Sequence, residues 1–143
     1  MSHLPDPYAQ SEFYSYVALK RFGAWVIDVL VITVILLIAG IFTVGLAWFF
    51  WPVFFVALSF VYRWFTIASQ SATWGMRIMA IELRNATGAR LNSFEAMMHT
   101  FLFMLASGFV LPQTISALMM ILGPRKQGLH DLFLGTVAIN RPQ

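Results

Sequence analysis

The chain has 143 residues, of which 59% are hydrophobic, 16% aromatic and only 10% charged. An ordinary soluble domain is about 25% charged, and a chain this short cannot bury so much apolar surface in its own core, so a soluble enzyme and a disordered chain are both excluded. There is no cysteine, which removes disulfides and thiolate chemistry, and the net charge of +3 reads as loops facing anionic lipid rather than as a nucleic-acid footprint.

In chain order, residues 1–20 form a polar arm, expected to be cytoplasmic, and residues 21–143 a transmembrane domain. The aromatics of the arm, Tyr8, Phe13, Tyr14 and Tyr16, suit either the membrane surface or docking to a partner. From Phe22 to Tyr62 the only charge is Asp28, and the run is long enough for two spans of roughly 20 residues each. Trp48-Phe49-Phe50-Trp51-Pro52 marks the turn between them, because Trp favours the membrane interface and Pro suits the first turn of a helix. The first helix is expected near 22–46 and the second near 51–68, with Tyr62 and Trp64 as an aromatic belt where the second leaves the bilayer.

Arg77, Met79, Ile81 and Leu83 alternate with Ile78, Ala80, Glu82 and Arg84, which predicts a strand over 76–84 closed by a turn at Asn85-Ala86-Thr87-Gly88. Asn92 followed by Glu95 reads as a capping box opening a third helix. The apolar stretch 96–122 is interrupted at Gly108 and Pro112. It is either one span or a hairpin of two shorter helices, and the positive-inside rule with the central break favours the hairpin. Thr136-Val137-Ala138-Ile139 is β-branched enough for a short strand that pairs with 76–84. The expected class is an all-α membrane protein with two full spans plus a C-terminal hairpin, three to four membrane segments, and a small cytoplasmic β element. Lys20, Arg21, Arg77, Arg84, Arg90, Arg125 and Lys126 put both termini in the cytoplasm of a multi-pass inner-membrane protein.

An acid inside a span costs several kcal/mol unless paired or hydrated, so Asp28 is the first candidate for an ion or proton site. It also lies two turns past Arg21 on the same helical face. The favoured reading is therefore structural: an ionised Asp28 bonded to Arg21, Arg63 or a cap residue. His99 is read as an interfacial imidazole bonded to a carbonyl, with proton relay as the sharper alternative. His130-Asp131 has no metal-ligand spacing, no metal is expected, and Asp131 is read as a loop cap or the partner of an Arg, above all Arg77. No cofactor motif or nucleophile is visible, so no cofactor and no enzymatic activity are expected.

Three segments together resemble the RDD family of prokaryotic membrane proteins: Lys20-Arg21-Phe22-Gly23-Ala24-Trp25-Val26-Ile27-Asp28; Thr73-Trp74-Gly75-Met76-Arg77 with Ile81 and Gly88; and Gln127-Gly128-Leu129-His130-Asp131 with Gly135-Thr136-Val137. They fall in the family's order over about residues 18–140. The resemblance carries the naming residues of the family onto Arg21, Asp28 and Asp131. Many members have an Arg early in the third helix where this chain has His99. The resemblance implies an integral membrane protein and a transport role, including cation–proton antiport for some members. The residues themselves lean to an accessory or assembly subunit of a larger membrane complex, since four short helices enclose little room for a path unless the chain forms a homo-oligomer.

Overall fold

The computed structural model describes residues 3–142. After a 3-10 turn at Ser11–Phe13 come α1 (Val17–Phe42), the single turn α2 (Leu46–Phe49), α3 (Trp51–Gln70), α4 (Trp74–Ile78), β1 (Ile81–Arg84), α5 (Ser93–Ser107), α6 (Val110–Leu122), α7 (Leu129–Leu134) and β2 (Val137–Asn140). The protein is thus mostly helical with a small two-stranded sheet.

α1 and α3 are long and apolar enough to cross a membrane. With 26 and 20 residues they reach about 39 Å and about 30 Å. α1 starts earlier than its apolar run suggested and ends at Phe42, short of the expected 46. The early stop has a local cause. Gly45 takes a left-handed φ of +85°, and the Thr43 hydroxyl donates to Ala39 O while accepting from Ala47 N–H. Gly40 leaves the space into which the Trp48 ring folds back on α1, since a Cβ there would overlap the indole. α3 opens with Pro52 in its first turn, as expected.

α5 begins on a complete capping box: Asn92 Oδ1 accepts from Glu95 N–H and Glu95 Oε2 accepts from Asn92 N–H, both at 2.9 Å. Asn92→Ala is expected to cost about 1 kcal/mol, read as a lower melting temperature in detergent. α5 and α6 together are apolar enough to span but are bent by 115° across Gly108 and Phe109.

The strand expected over 76–84 is shorter. Thr73 caps a helix there, its hydroxyl accepting from Met76 N–H, so 74–78 coils as α4 and only Ile81–Arg84 is extended. Ala80, at φ +57°, makes the corner between them. β1 pairs antiparallel with β2, Ile81 opposite Asn140 and Arg84 opposite Val137. Glu82 is buried in this sheet and is held by Arg84, by Arg90 at 3.6 Å and by Arg141 at 3.5 Å. The arm also folds onto the sheet. Tyr14 is buried against Val137 and Ile139 rather than laid on a membrane, and Asn140 Nδ2 donates to Glu12 O and Ser15 O. Lys20 Nζ donates to Asn140 Oδ1 at 2.7 Å and fixes the sheet to the start of α1.

One apolar cluster, including Val17, Ala24, Ile67, Met76, Leu83 and Ala96, joins α1, α3, α4, α5 and the sheet. A smaller one of Ile32, Leu36 and Tyr62 joins α1 to α3. Many other large apolar side chains point outward, among them Leu30, Val34, Phe65, Phe101, Leu111 and Ile121. The burial pattern is that of a protein whose solvent is partly hydrocarbon: the polar groups are gathered inside at one end, and the outer faces are apolar.

Candidate functional site

Apart from Glu82 in the sheet, two buried carboxylates each centre a polar node between the helices. The first is Asp28 on α1, 2% exposed. Its Oδ1 accepts from the Tyr62 hydroxyl at 2.7 Å and from the Gly75 N–H at 2.9 Å. Its Oδ2 accepts from the Thr73 hydroxyl at 2.7 Å and faces Arg63 Nη1 at 3.7 Å. The Arg63 guanidinium lies over the Phe103 ring, 3.9 Å from its centroid, so a buried cation is shared between a carboxylate and an aromatic face.

α4 reaches Asp28 only because residue 75 is Gly. A Cβ there would collide with Ala24 O and lie 2.8 Å from Asp28 Oδ1. Gly75→Ala is expected to push α4 off α1 and cost about 1–3 kcal/mol, the range for overpacking a filled core. Thermal unfolding in detergent measures it, and an unchanged transition would show that α4 yields without loss.

The second node is Asp131 on α7, with no exposed surface. Oδ2 accepts from Arg21 Nη1 at 2.6 Å and from the Gly128 N–H at 3.0 Å. Oδ1 accepts from the Thr136 hydroxyl at 2.9 Å and from His99 Nε2 at 3.1 Å. Arg21 also donates to Lys126 O at 3.2 Å. Its Nη2 lies 3.1 Å from His130 Nε2. An arginine cannot accept, so His130 Nε2 must, and the ring proton of His130 sits on Nδ1. Among the described residues, neither His99 Nδ1 nor His130 Nδ1 has a hydrogen-bond partner.

Burial alone would push the Asp131 carboxyl up, but Arg21, His130 and His99 outweigh it and hold it well below the ordinary carboxylate range. Burial drives the His130 imidazole the other way, down to about 3 from 6.5, so it stays neutral at physiological pH. The sign of the resulting pH dependence is fixed by linkage. Above pH 6.5 His130 is neutral folded or unfolded and contributes no slope. Below it only the unfolded chain gains the proton, so stability falls as pH falls, by about 1.4 kcal/mol per pH unit down to about pH 4, where carboxylates join in. Unfolding in detergent at stepped pH is expected to show this slope in the native chain and a shallower one in His130→Gln.

Several sequence expectations are corrected here. Of the partners expected for Asp28, Arg63 and the cap residues Thr73 and Gly75 are the ones it meets, whereas Arg21 shares its helical face but lies two turns away, about 10 Å, and has a nearer partner on another element. Arg21 pairs with Asp131, a place expected for Arg77. α4, which carries Arg77, packs on α1 and β1, whereas α7 packs on α5 and α6, so Arg77 is not the partner of Asp131. His99 is fully buried and bonds a carboxylate, not an interfacial carbonyl. Tyr62 is buried on Asp28 instead of lying in a belt.

His99, His130 and Asp131 offer ligand atoms all within 4.8 Å of one another. No spacing rule could reveal this, since His99 and Asp131 are 32 residues apart. The Arg21 guanidinium on the same carboxylate opposes a divalent cation there. The hydroxyls of Thr73 and Thr136 also escaped notice in the sequence; the signal available was their place beside Gly75 and Gly135 in the two later motifs.

The three motifs therefore converge on two nodes. Arg21 and Asp28 come from the first, Thr73 and Gly75 from the second, and Gly128, His130, Asp131 and Thr136 from the third. The RDD family model matches residues 17–135, which covers most of the chain. The chain belongs to the RDD family. No curated protein and no solved structure matches it. Within this RDD protein, the Arg and first Asp of the opening motif serve different nodes, and the Asp of the closing motif completes the first motif's Arg.

Proposed function

We propose that this RDD protein is a non-catalytic accessory or assembly subunit of a larger membrane complex, seated in the bacterial inner membrane with both ends of the chain in the cytoplasm. The observation that carries this reading is the saturation of the two carboxylates buried between its helices. Asp28 and Asp131 each meet four donors of the chain itself, drawn from α1, α3, α4, α5 and the turns before α4, α7 and β2. A carboxylate in that state is a clamp between elements, and a translocated ion would have to displace the bonds that hold the bundle together. The clamp fixes the geometry of the outer apolar faces, and those faces do the work by packing against neighbouring spans.

A second reading, cation–proton transport by a homo-oligomer, has one specific observation in its favour. The His99–Asp131–His130 cluster is buried and titratable, and both Nδ1 atoms lack a partner among the described residues. Extraction in mild detergent followed by mass measurement separates the two. The accessory reading expects a stable hetero-complex. A lone homo-oligomer that carries pH-dependent cation flux in liposomes would replace it with transport.

A further inference from the structure

Where α3, α5 and α7 meet, five side-chain atoms are sealed from solvent and find no hydrogen-bond partner among the described residues. They are Ser59 Oγ and Arg63 Nε on α3, His99 Nδ1 and Thr100 Oγ1 on α5, and His130 Nδ1 on α7. All five residues are buried, Ser59 being the most exposed at 7%. They gather around one ring. The Arg63 guanidinium lies on Phe103, the Phe103 ring centroid is 5.3 Å from that of His130, and the His130 and His99 rings are 4.8 Å apart. His99 and Thr100 stand one turn before Phe103 on α5, and Ser59 stands one turn before Arg63 on α3, so helical spacing brings each to the same cluster. A buried polar group without a partner is costly, and five at one junction call for a ligand that serves them together.

The hydrogens decide which ligand fits. Arg63 Nε–H can only donate. His130 Nδ1 carries its ring proton, because Nε2 accepts from Arg21. His99 Nε2 faces the Asp131 carboxylate, which only accepts, so Nε2 holds the proton and Nδ1 of the neutral ring is a bare acceptor. The two hydroxyls serve either way. An anion would therefore meet the His99 lone pair, and a cation would meet two N–H groups. Water donates and accepts at once, and takes two to four such partners.

We propose that water is bound at this junction, one molecule between the two imidazoles and one at Arg63. The first accepts from His130 Nδ1–H and donates to His99 Nδ1. The second accepts from Arg63 Nε–H and bonds Ser59, and the Thr100 hydroxyl stands between the two molecules. Arg63 already faces Asp28 at 3.7 Å, and His99 already bonds Asp131 at 3.1 Å. The water thus joins the two carboxylate nodes into one polar network, whatever the outer faces pack against.

The test uses the full chain in detergent micelles with ¹⁵N-labelled histidine; the sequence has three histidines, so the ring signals are few. Nitrogen-resolved spectra are expected to show His99 protonated on Nε2 and His130 on Nδ1, with magnetisation transfer between His130 Nδ1–H and long-lived water. Reversible unfolding then compares Thr100→Val, Thr100→Ser and Ser59→Ala. Val matches Thr in shape, so removing a hydroxyl with no partner would be neutral or stabilising, whereas removing one that holds water lowers stability. Thr100→Val and Ser59→Ala are each expected to lower the folding equilibrium constant about threefold to tenfold, the worth of one hydrogen bond, and Thr100→Ser to stay close to native. The proposal is overturned if His130 Nδ1–H shows no water contact, or if Thr100→Val and Ser59→Ala are both as stable as the native chain. Stabilisation by sodium chloride over sodium gluconate, or by zinc, would give the junction to an ion and overturns it too. The spectrum of the unaltered chain decides the matter even if a variant misfolds.

Discussion

Asp131→Asn is expected to cost roughly 3–5 kcal/mol, the range for stranding one partner of a buried ion pair. Two penalties combine. Arg21 loses its counter-ion while keeping its place in the interior. The new amide nitrogen must also face donors whichever way it turns, because His99 and Thr136 donate on one side of the carboxylate and Arg21 and Gly128 on the other. A domain of this size has about 5–15 kcal/mol to lose, so folded yield after extraction should drop sharply. Replacing both partners with apolar residues, Arg21→Met with Asp131→Leu, is expected to be milder than Asp131→Asn, since no charge is then left unpaired. A single variant with native yield and melting temperature would remove Asp131 from the scaffold.

That prediction depends on contacts that the linear sequence shows unevenly. The spans were legible because hydropathy and the Trp48-to-Pro52 break act locally, and the same holds for the Asn92–Glu95 cap, whose two partners are three residues apart. The pairing of the two strands was legible as well, though β1 is shorter than expected because Thr73 caps a helix, a competition between period-2 alternation and local capping that composition does not resolve. The charged residues of the site could be picked out by type, since acids and arginines inside apolar runs are rare.

Their partners could not be assigned in the same way. Helical phase put Arg21 and Asp28 on one face, but phase says nothing about which other element fills the space between them. Here Gly75 lets α4 close over Asp28, and α7 swings in to meet Arg21. The roles of Tyr62 and His99 depend on the packing of α3 and α5, so a belt aromatic and a buried hydroxyl donor look alike in sequence. Glu82 shows the same limit. As one charge in an alternating row it carried no mark of burial, yet three arginines from 84, 90 and 141 converge on it and allow it to be buried.

Asp28→Asn separates scaffold from transport. The scaffold reading starts from four contacts. Oδ1 holds the Tyr62 hydroxyl and the Gly75 N–H, Oδ2 holds the Thr73 hydroxyl, and Arg63 Nη1 stands 3.7 Å away. Loss of the charge leaves Arg63, itself 5% exposed, with the Phe103 ring as its remaining electrostatic partner of the two described above. A ring face is worth about 2 kcal/mol to a desolvated cation, well below the demand of a buried guanidinium, so roughly 3–5 kcal/mol should be lost and the folded yield should fall. Exchanging the charges, Asp28→Arg with Arg63→Asp, should recover only part of the loss. It restores the Coulomb attraction, but the donors of Tyr62, Thr73 and Gly75 would then face a cation. Transport predicts the reverse pattern: Asp28→Asn folds and assembles at native yield and abolishes pH-dependent cation flux in liposomes. Because yield and flux are measured on the same preparation, reduced yield supports the clamp, whereas full yield with lost flux gives Asp28 to a translocated ion.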